Sequence, residues 1–282
     1  LQGKELSYNN LLDLESALST ILEFEYDQKQ KSSKNINAAV ILKHNNPCGA
    51  ALADSPSDAF RKALDCDSTS AFGGIVAFNN NVDLATAELL SNIFLECVVA
   101  PSFDNNALEV LNNKKNLRLL QINRDNIKIG NRSTFKSILG GILEQDIDNE
   151  IDQPNKWSYV TETKPSTEEF NDLRFSWKIC KHVKSNAIVI AKNQKTIGIG
   201  AGQMNRVGAA KIALESAKNY SNGAVLASDG FFPFSDSVEI ANHYGIKAII
   251  QPGGSLRDQD SIDMCNKLGI SMIFTNKRHF LH

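Results

Sequence analysis

The sequence predicts an α/β protein in which helices alternate with the strands of a mostly parallel sheet. Three observations carry that reading. Apolar runs of strand length recur along the chain; most of them stop at turns rich in Gly, Pro or Asn; and helix-length segments opened by capping residues lie between them.

The elements follow in order. After Asn9 and Asn10, the residues Leu11, Leu14, Leu18, Ile21 and Leu22 recur close to one helical face and make a packing helix. The polar loop DQKQKSSKN, residues 27–35, leads to 38–43, an apolar run suited to a buried strand, which Asn-Asn-Pro-Cys-Gly then breaks. In SPSDAFRKAL, Ser55 stands as N-cap, Pro56 at the first helical position and Asp58 at capping-box spacing. SAFGG introduces a strand at 75–78; a helix over 83–95 and a short strand over 97–100 come next. From 124 to 156, Asn, Asp and Gln interrupt the pattern around one apolar segment at 138–143. A junction between two units, 1–150 and 151–282, is expected there.

Ser166 and Glu169 form a second capping box, opening a helix with Phe170, Leu173, Trp177 and Cys180 at helical spacing. Strands are expected at 187–192, 196–199, 224–227, 248–251 and 272–275, with helices at 206–217, 238–243 and 261–268. The halves share a rough plan of strand, glycine turn and capped helix, although their spacings differ by several residues.

Composition narrows the partners. Lys and Arg total 30 against 32 Asp and Glu, a net charge of −2, so no cationic surface speaks for nucleic acid or an anionic membrane. Small molecules are the expected ligands. No apolar run approaches the roughly 20 residues of a membrane span, and residues 1–10 lack the zones of a signal peptide, so a soluble, cytoplasmic protein is expected. The five cysteines are scattered, odd in number and without a C-x-x-C pair, which favours reduced thiols over disulfides or zinc. Leu1 in place of Met leads us to expect an upstream portion.

Several polar clusters suit chemistry. In ILKHNNPCGAA, Lys43, His44 and Asn46 end an apolar strand, where α/β sheets gather ligands, and histidine titrates near neutral pH as a base should. GIGAGQMNR, residues 198–206, offers glycines before a helix start, suited to an anion, with Arg206 as a phosphate clamp. Gln203 takes the place of the third glycine of a dinucleotide fingerprint, which leaves nicotinamide binding poorly supported. ASDGFFPFSD sets three Phe between Asp229 and Asp236, as core or as a stacking wall. QPGGSLRD, residues 251–258, is a further strand end and glycine turn, and TNKRHFLH places Arg278, His279 and His282 in a tail that would ordinarily fray. The pattern H-x-E with P-C-x-x-C of zinc deaminases is missing, since Ala51 stands three residues after Cys48.

Taken together, KHNNPCGAA, SAFGGIVAFN, KSNAIVIAKN, IGIGAGQMNR, SDGFFPFSD, QPGGSLRD and TNKRHF occur in one order over nearly the whole chain. This series resembles the AICAR transformylase domain of the PurH family, whose other, N-terminal domain is an IMP cyclohydrolase. The resemblance implies formyl transfer from 10-formyltetrahydrofolate to the 5-amino group of AICAR in purine biosynthesis. It implies two tandem cytidine-deaminase-like α/β/α units without zinc, and a homodimer with shared sites. By motif it assigns catalysis to Lys43, His44 and Asn186; AICAR binding to Gly73, Glu96, Arg206, Phe231 and Arg278; and folate contacts to Val207, Asp236 and Ser255. No tightly bound cofactor is implied, though the resemblance leaves room for a potassium ion. The family also has an Arg-Tyr-Gly stretch upstream of LQGKELSYNN, outside this sequence, so a non-catalytic nucleotide- or folate-binding module is the alternative.

Overall fold

The computed structural model describes residues 1–30, 36–123, 127 and 133–282. Much of the loop expected at 27–35 and the start of the junction expected at 124–156 lie outside these described residues. The chain begins with α1 (Tyr8–Gln30), β1 (Asn37–Lys43), β2 (Asn46–Ala53), α2 (Pro56–Leu64), α3 (Ser68–Ala71) and β3 (Gly74–Phe78). It continues through α4 (Leu84–Ser91), β4 (Leu95–Ala100), α5 (Asn105–Leu111), β5 (Arg118–Gln121), β6 (Ser133–Ile138), β7 (Gly141–Asp146) and β8 (Ser158–Tyr159). Then come α6 (Thr167–Cys180), β9 (Ile188–Lys192), β10 (Lys195–Gly200), α7 (Arg206–Ala217), β11 (Val225–Ser228), α8 (Asp236–His243), β12 (Ala248–Gln251), α9 (Asp258–Leu268) and β13 (Ser271–Phe274).

Capping accounts for several helix starts. Ser55 Oγ accepts the Asp58 N–H at 3.1 Å with Pro56 at the first position, and Ser166 and Glu169 close a reciprocal box at 3.1 and 2.7 Å. The helix expected at 83–95 stops at Ser91; Asn92 caps it, and Leu95 already belongs to β4.

Eleven strands form one sheet in the order β5-β4-β3-β1-β2-β10-β9-β11-β12-β13-β8. It is mixed, which corrects the mostly parallel sheet expected. Only the outer triplets β3-β4-β5 and β11-β12-β13 run parallel; the pairings through β1, β2, β10 and β9 are antiparallel. The cause is two hairpins that the sequence reading missed. His44 and Asn45 take φ of 52° and 61°, a two-residue turn of the kind that matches strand twist, so Asn-Asn-Pro-Cys-Gly starts a strand where a break was expected. Pro47, with no N–H for a ladder, sits beside a register shift between Ile41 and Leu42. Asn193 and Gln194 repeat the turn between β9 and β10 at 54° and 53°.

Three layers result. Along β1, Ala38, Val40 and Leu42 pack with Leu14, Ile21 and Phe24 of α1 and with α6, while Ala39 and Ile41 pack on α2 and α4 from the other face. The second half repeats this, with α7, α8 and α9 under Ile188 and Ile190. Trp177 is fully buried, as a core residue should be. Among the described residues no helix is long and apolar enough to cross a membrane. The apolar segment 138–143 forms the tip of the β6–β7 hairpin, a separate two-stranded sheet whose Phe135, Leu139 and Ile142 are exposed.

Candidate functional site

Strand direction decides where the polar clusters meet. β1 runs opposite to β3, β4 and β5, so the carboxyl end of β1 lies beside the amino ends of that triplet. Carried across the sheet by the antiparallel pairs, the same edge receives the amino end of β9 and the carboxyl ends of β10 to β13. The His44 turn, Gly73, Glu96, Asn186, Arg206, Phe231, Ser255 and Arg278 therefore share one edge. For the first half this corrects the expectation of a site at the carboxyl ends of parallel strands: Gly73 and Glu96 stand at their amino ends.

On the first half, the Lys43 ammonium donates to the carbonyl oxygens of Phe72 and Gly73 at 2.8 and 3.0 Å. Gly73 has φ of 69°, and a Cβ there would sit 2.9 Å from Lys43 Nζ, so the glycine makes room for the cation. His44 projects from the turn, exposed. Its neighbour Asn45 is braced by α1, donating its N–H to Asp13 Oδ1 at 2.7 Å. Glu96 pairs with Arg118 at 2.7 Å.

On the second half, Arg206 is buried and already paired. Its Nη1 donates to Asp229 and, at 2.9 Å, to Ser228 Oγ, while Nη2 donates to Asn186 Oδ1 at 2.8 Å. Asp229, itself fully buried, also accepts from Ser185 Oγ and from the Ala187 N–H at 3.1 Å. The guanidinium thus serves as a buried brace for Asn186, where an open phosphate clamp was expected. Asn186 Nδ2 gives one hydrogen to Gln203 O at 2.7 Å and has a second to offer. Asp229 was noted in the sequence only as a flanking carboxylate; nothing in the string of letters tells that it lies under Arg206.

Phe232 is core, whereas Phe231 and Phe234 lie outside it, each under an arginine: Arg278 at 5.0 Å and Arg257 at 4.9 Å from the ring centres. Arg278 also approaches the Gly254–Ser255 turn, 3.9 Å from where a Gly254 Cβ would be. Val207 follows Arg206 in α7, and Asp236 opens α8 with its carboxylate on the Ser237 N–H at 2.7 Å. The tail does not fray. His279 is buried against Trp177, its Nδ1 bonded to Asp148 Oδ2 at 2.5 Å, and its N–H donates to Asp229 O at 3.2 Å.

The first two glycines of GIGAG serve packing, which corrects the anion-loop reading for them, while Gly202 takes a φ of 66° with open space beside it. Gly198 and Gly200 lie in β10 against α7, where an added Cβ would come within 2.0 Å of the Ala213 and Ala209 carbonyl oxygens.

Between α3 with the turn before it and the end of α7, along β2 and β10, runs a cavity of about 850 Å³ whose walls include Lys43, His44, Cys48, Cys66 and Lys195. Burial pushes the Cys48 thiol up to about 12 and Cys66 up to about 11, so both stay protonated at neutral pH and neither supplies a thiolate nucleophile. Among the described residues no group of three or more His, Cys, Asp or Glu side chains is arranged to hold a metal ion.

A family model, AICARFT/IMPCHase bienzyme, matches residues 1–216. Over all 282 residues the chain is 66% identical to the "Bifunctional purine biosynthesis protein PurH" of Prochlorococcus marinus subsp. pastoris, and covers 54% of that protein. It is 68% identical over the same span to the protein of that name from Prochlorococcus marinus strain AS9601, again covering 54% of it. The chain thus spans about half the length of the curated relatives it matches. Among solved structures, Acinetobacter baumannii RibD (form 2) overlaps 40% of this chain and 36% of its own at 15% identity, with a TM-score of 0.30.

Proposed function

The chain belongs to the AICARFT/IMPCHase bienzyme family, and from that premise we propose that it transfers a formyl group from 10-formyltetrahydrofolate to the 5-amino group of AICAR. The observation that carries this reading is identity of 66–68% to about half the length of the PurH proteins, over all 282 residues of a chain with Lys43, His44, Asn186 and Arg278 along one sheet edge.

The AICAR amine is a weak nucleophile because its lone pair is delocalised into the imidazole and carboxamide. Attack on the formyl carbon must therefore be accompanied by proton removal, and His44 is the base. Lys43, fixed by two carbonyl oxygens, offsets developing negative charge and assists departure of the folate nitrogen. Asn186 offers its second Nδ2 hydrogen to the developing oxyanion. Arg278 takes the phosphate, Phe231 stacks on the heterocycle, Gly73, Glu96 and Arg206 complete the nucleotide subsite, and Val207, Asp236 and Ser255 meet the folate.

The same proposal includes two cytidine-deaminase-like units divided near residue 150, a cytoplasmic location and a homodimer. The exposed apolar β6–β7 hairpin supports the last of these, since an isolated two-stranded ribbon is marginal in water. A potassium ion is compatible with the proposal and is assigned no ligands. The cyclohydrolase activity belongs, in this reading, to the part of the PurH proteins that the chain does not match.

Steady-state turnover of AICAR with 10-formyltetrahydrofolate tests the assignment. Lys43→Ala and His44→Ala should each lower kcat by about 10²- to 10⁴-fold. Undiminished turnover in both variants would sink the catalytic site, and AICAR binding without turnover in the parent chain would make it a binding module.

A further inference from the structure

We propose that Asn46 is a positioning residue that holds the Lys43–His44 turn in place against the segment carrying Asn186. The inference rests on the formyl-transfer reading and extends it to a side chain that reading does not use.

Asn46 is half-buried and opens β2 directly after the turn. Its Oδ1 accepts the Lys184 N–H at 3.0 Å, across 138 residues of chain, and its Nδ2 donates to the His44 carbonyl oxygen at 3.3 Å. One amide therefore grips the peptide that carries the imidazole and, at its other end, the segment two residues before Asn186. The Lys184 peptide is held from its other side as well, because its carbonyl accepts the Gly202 N–H at 2.7 Å.

The seam between the halves explains why such a strap matters. β2 and β10 share the register pair Lys195 and Ala51, and the Leu52 N–H reaches Gln194 O at 2.9 Å. Thr196 Oγ1 takes over the next rung, accepting the Ala50 N–H at 2.9 Å and donating to Ala50 O at 3.2 Å. These contacts lie toward the far end of β2. Toward His44 no further register pair joins β2 and β10 among the described residues, both strands line the cavity, and there Asn46 reaches across to the Lys184 segment. The hairpin does not itself require an amide at this position, for Lys195 follows the equivalent turn in the second half. A carboxamide here answers the need to join two segments, and a misplacement of about 1 Å at a reacting group can cost on the order of 100-fold in rate.

The test compares the chain with its Asn46→Ala, Asn46→Ser and Asn46→Asp variants, with Lys43→Ala as the control for the reaction. Steady-state formyl transfer, thermal unfolding and amide exchange at Lys184 are measured on each. Asn46→Ala should lower kcat about 10- to 100-fold while the KM for AICAR stays within about 3-fold, because alignment is lost and substrate binding is kept. The Lys184 amide should exchange at least about tenfold faster, and Asn46→Asp, which keeps the acceptor, should restore its protection. Should the alanine variant not fold, the serine variant carries the comparison. A kcat equal to the parent's, or a change confined to KM, overturns the positioning role and leaves formyl transfer standing so long as Lys43→Ala is inactive. No turnover in the unsubstituted chain overturns the formyl-transfer reading and the role of Asn46 with it.

Discussion

Beneath the tail, Glu23 of α1 accepts from Lys181 Nζ at 2.8 Å and lies 3.2 Å from His182 Nε2. Burial works against its charged form, yet the hydrogen bonds and charges of His182 and Lys181 outweigh it and hold the carboxyl down at about 2. Asp148 is lowered by the same balance, with His279 as its partner, whereas burial leads at Asp152 and lifts it. An acid whose folded value is depressed stabilises the fold above its unfolded value of 4.5, and that contribution drains away as pH falls toward 2. Denaturant titrations of the chain and of Glu23→Gln should therefore differ by about 3 kcal/mol at neutral pH, and the gap should close between those two limits. A gap independent of pH would mean that Glu23 acts by packing alone. At this scale the sequence displays identity but seldom partnership. Lys43 and His44 are conspicuous because they interrupt an apolar run; the burial of His279, or of Arg206 on Asp229, depends on residues far apart in the chain.

Elements meet through glycines that leave no room for a side chain. Gly49 of β2 faces α2, where an added Cβ would come within 2.0 Å of the Ala63 carbonyl oxygen, as Gly198 does with Ala213 of α7. Backbone, unlike a flexible side-chain tip, cannot step aside. Gly49→Ala and Gly198→Ala should each destabilise the fold by about 1–3 kcal/mol or more, read from urea midpoints, while Gly141→Ala, with nothing within 4 Å, should change little. Equal midpoints for Gly198→Ala and Gly141→Ala would refute the packing role. Much at this scale is legible: the helices at 206–217 and 55–64 announce themselves by caps and periodicity, and the apolar strands by length. The short elements β5, β8 and α3 leave too few residues for any period to register, and β2 hides because a His-Asn turn resembles a chain break.

Across the whole molecule the halves repeat. Each runs helix, hairpin, helix, strand, then two helix–strand steps, and the sheet orders β5-β4-β3-β1-β2 and β13-β12-β11-β9-β10 are images of each other. Residues correspond too: Asn79 accepts the Ala38 N–H at 2.7 Å as Asp229 accepts that of Ala187, and Asp172 receives the Asn193 N–H as Asp13 receives that of Asn45. Helix α3 and the stretch between β5 and α6 blur this spacing in the sequence. That stretch includes the hairpin whose exposed Phe135 and Ile142 support the proposed dimer, so the double change Phe135→Asp, Ile142→Lys should turn a sedimenting dimer into a folded monomer. A dimer that survives it uses another surface. The axis relating the halves stands normal to the sheet, so one edge receives the strand beginnings of the first triplet and the strand endings of the second. Corresponding positions therefore face opposite edges: the Asn79 bond to Ala38 lies away from Lys43, while the Asp229 bond to Ala187 lies beside Arg206, so a neutral amide suffices at the one and a charged partner is needed at the other.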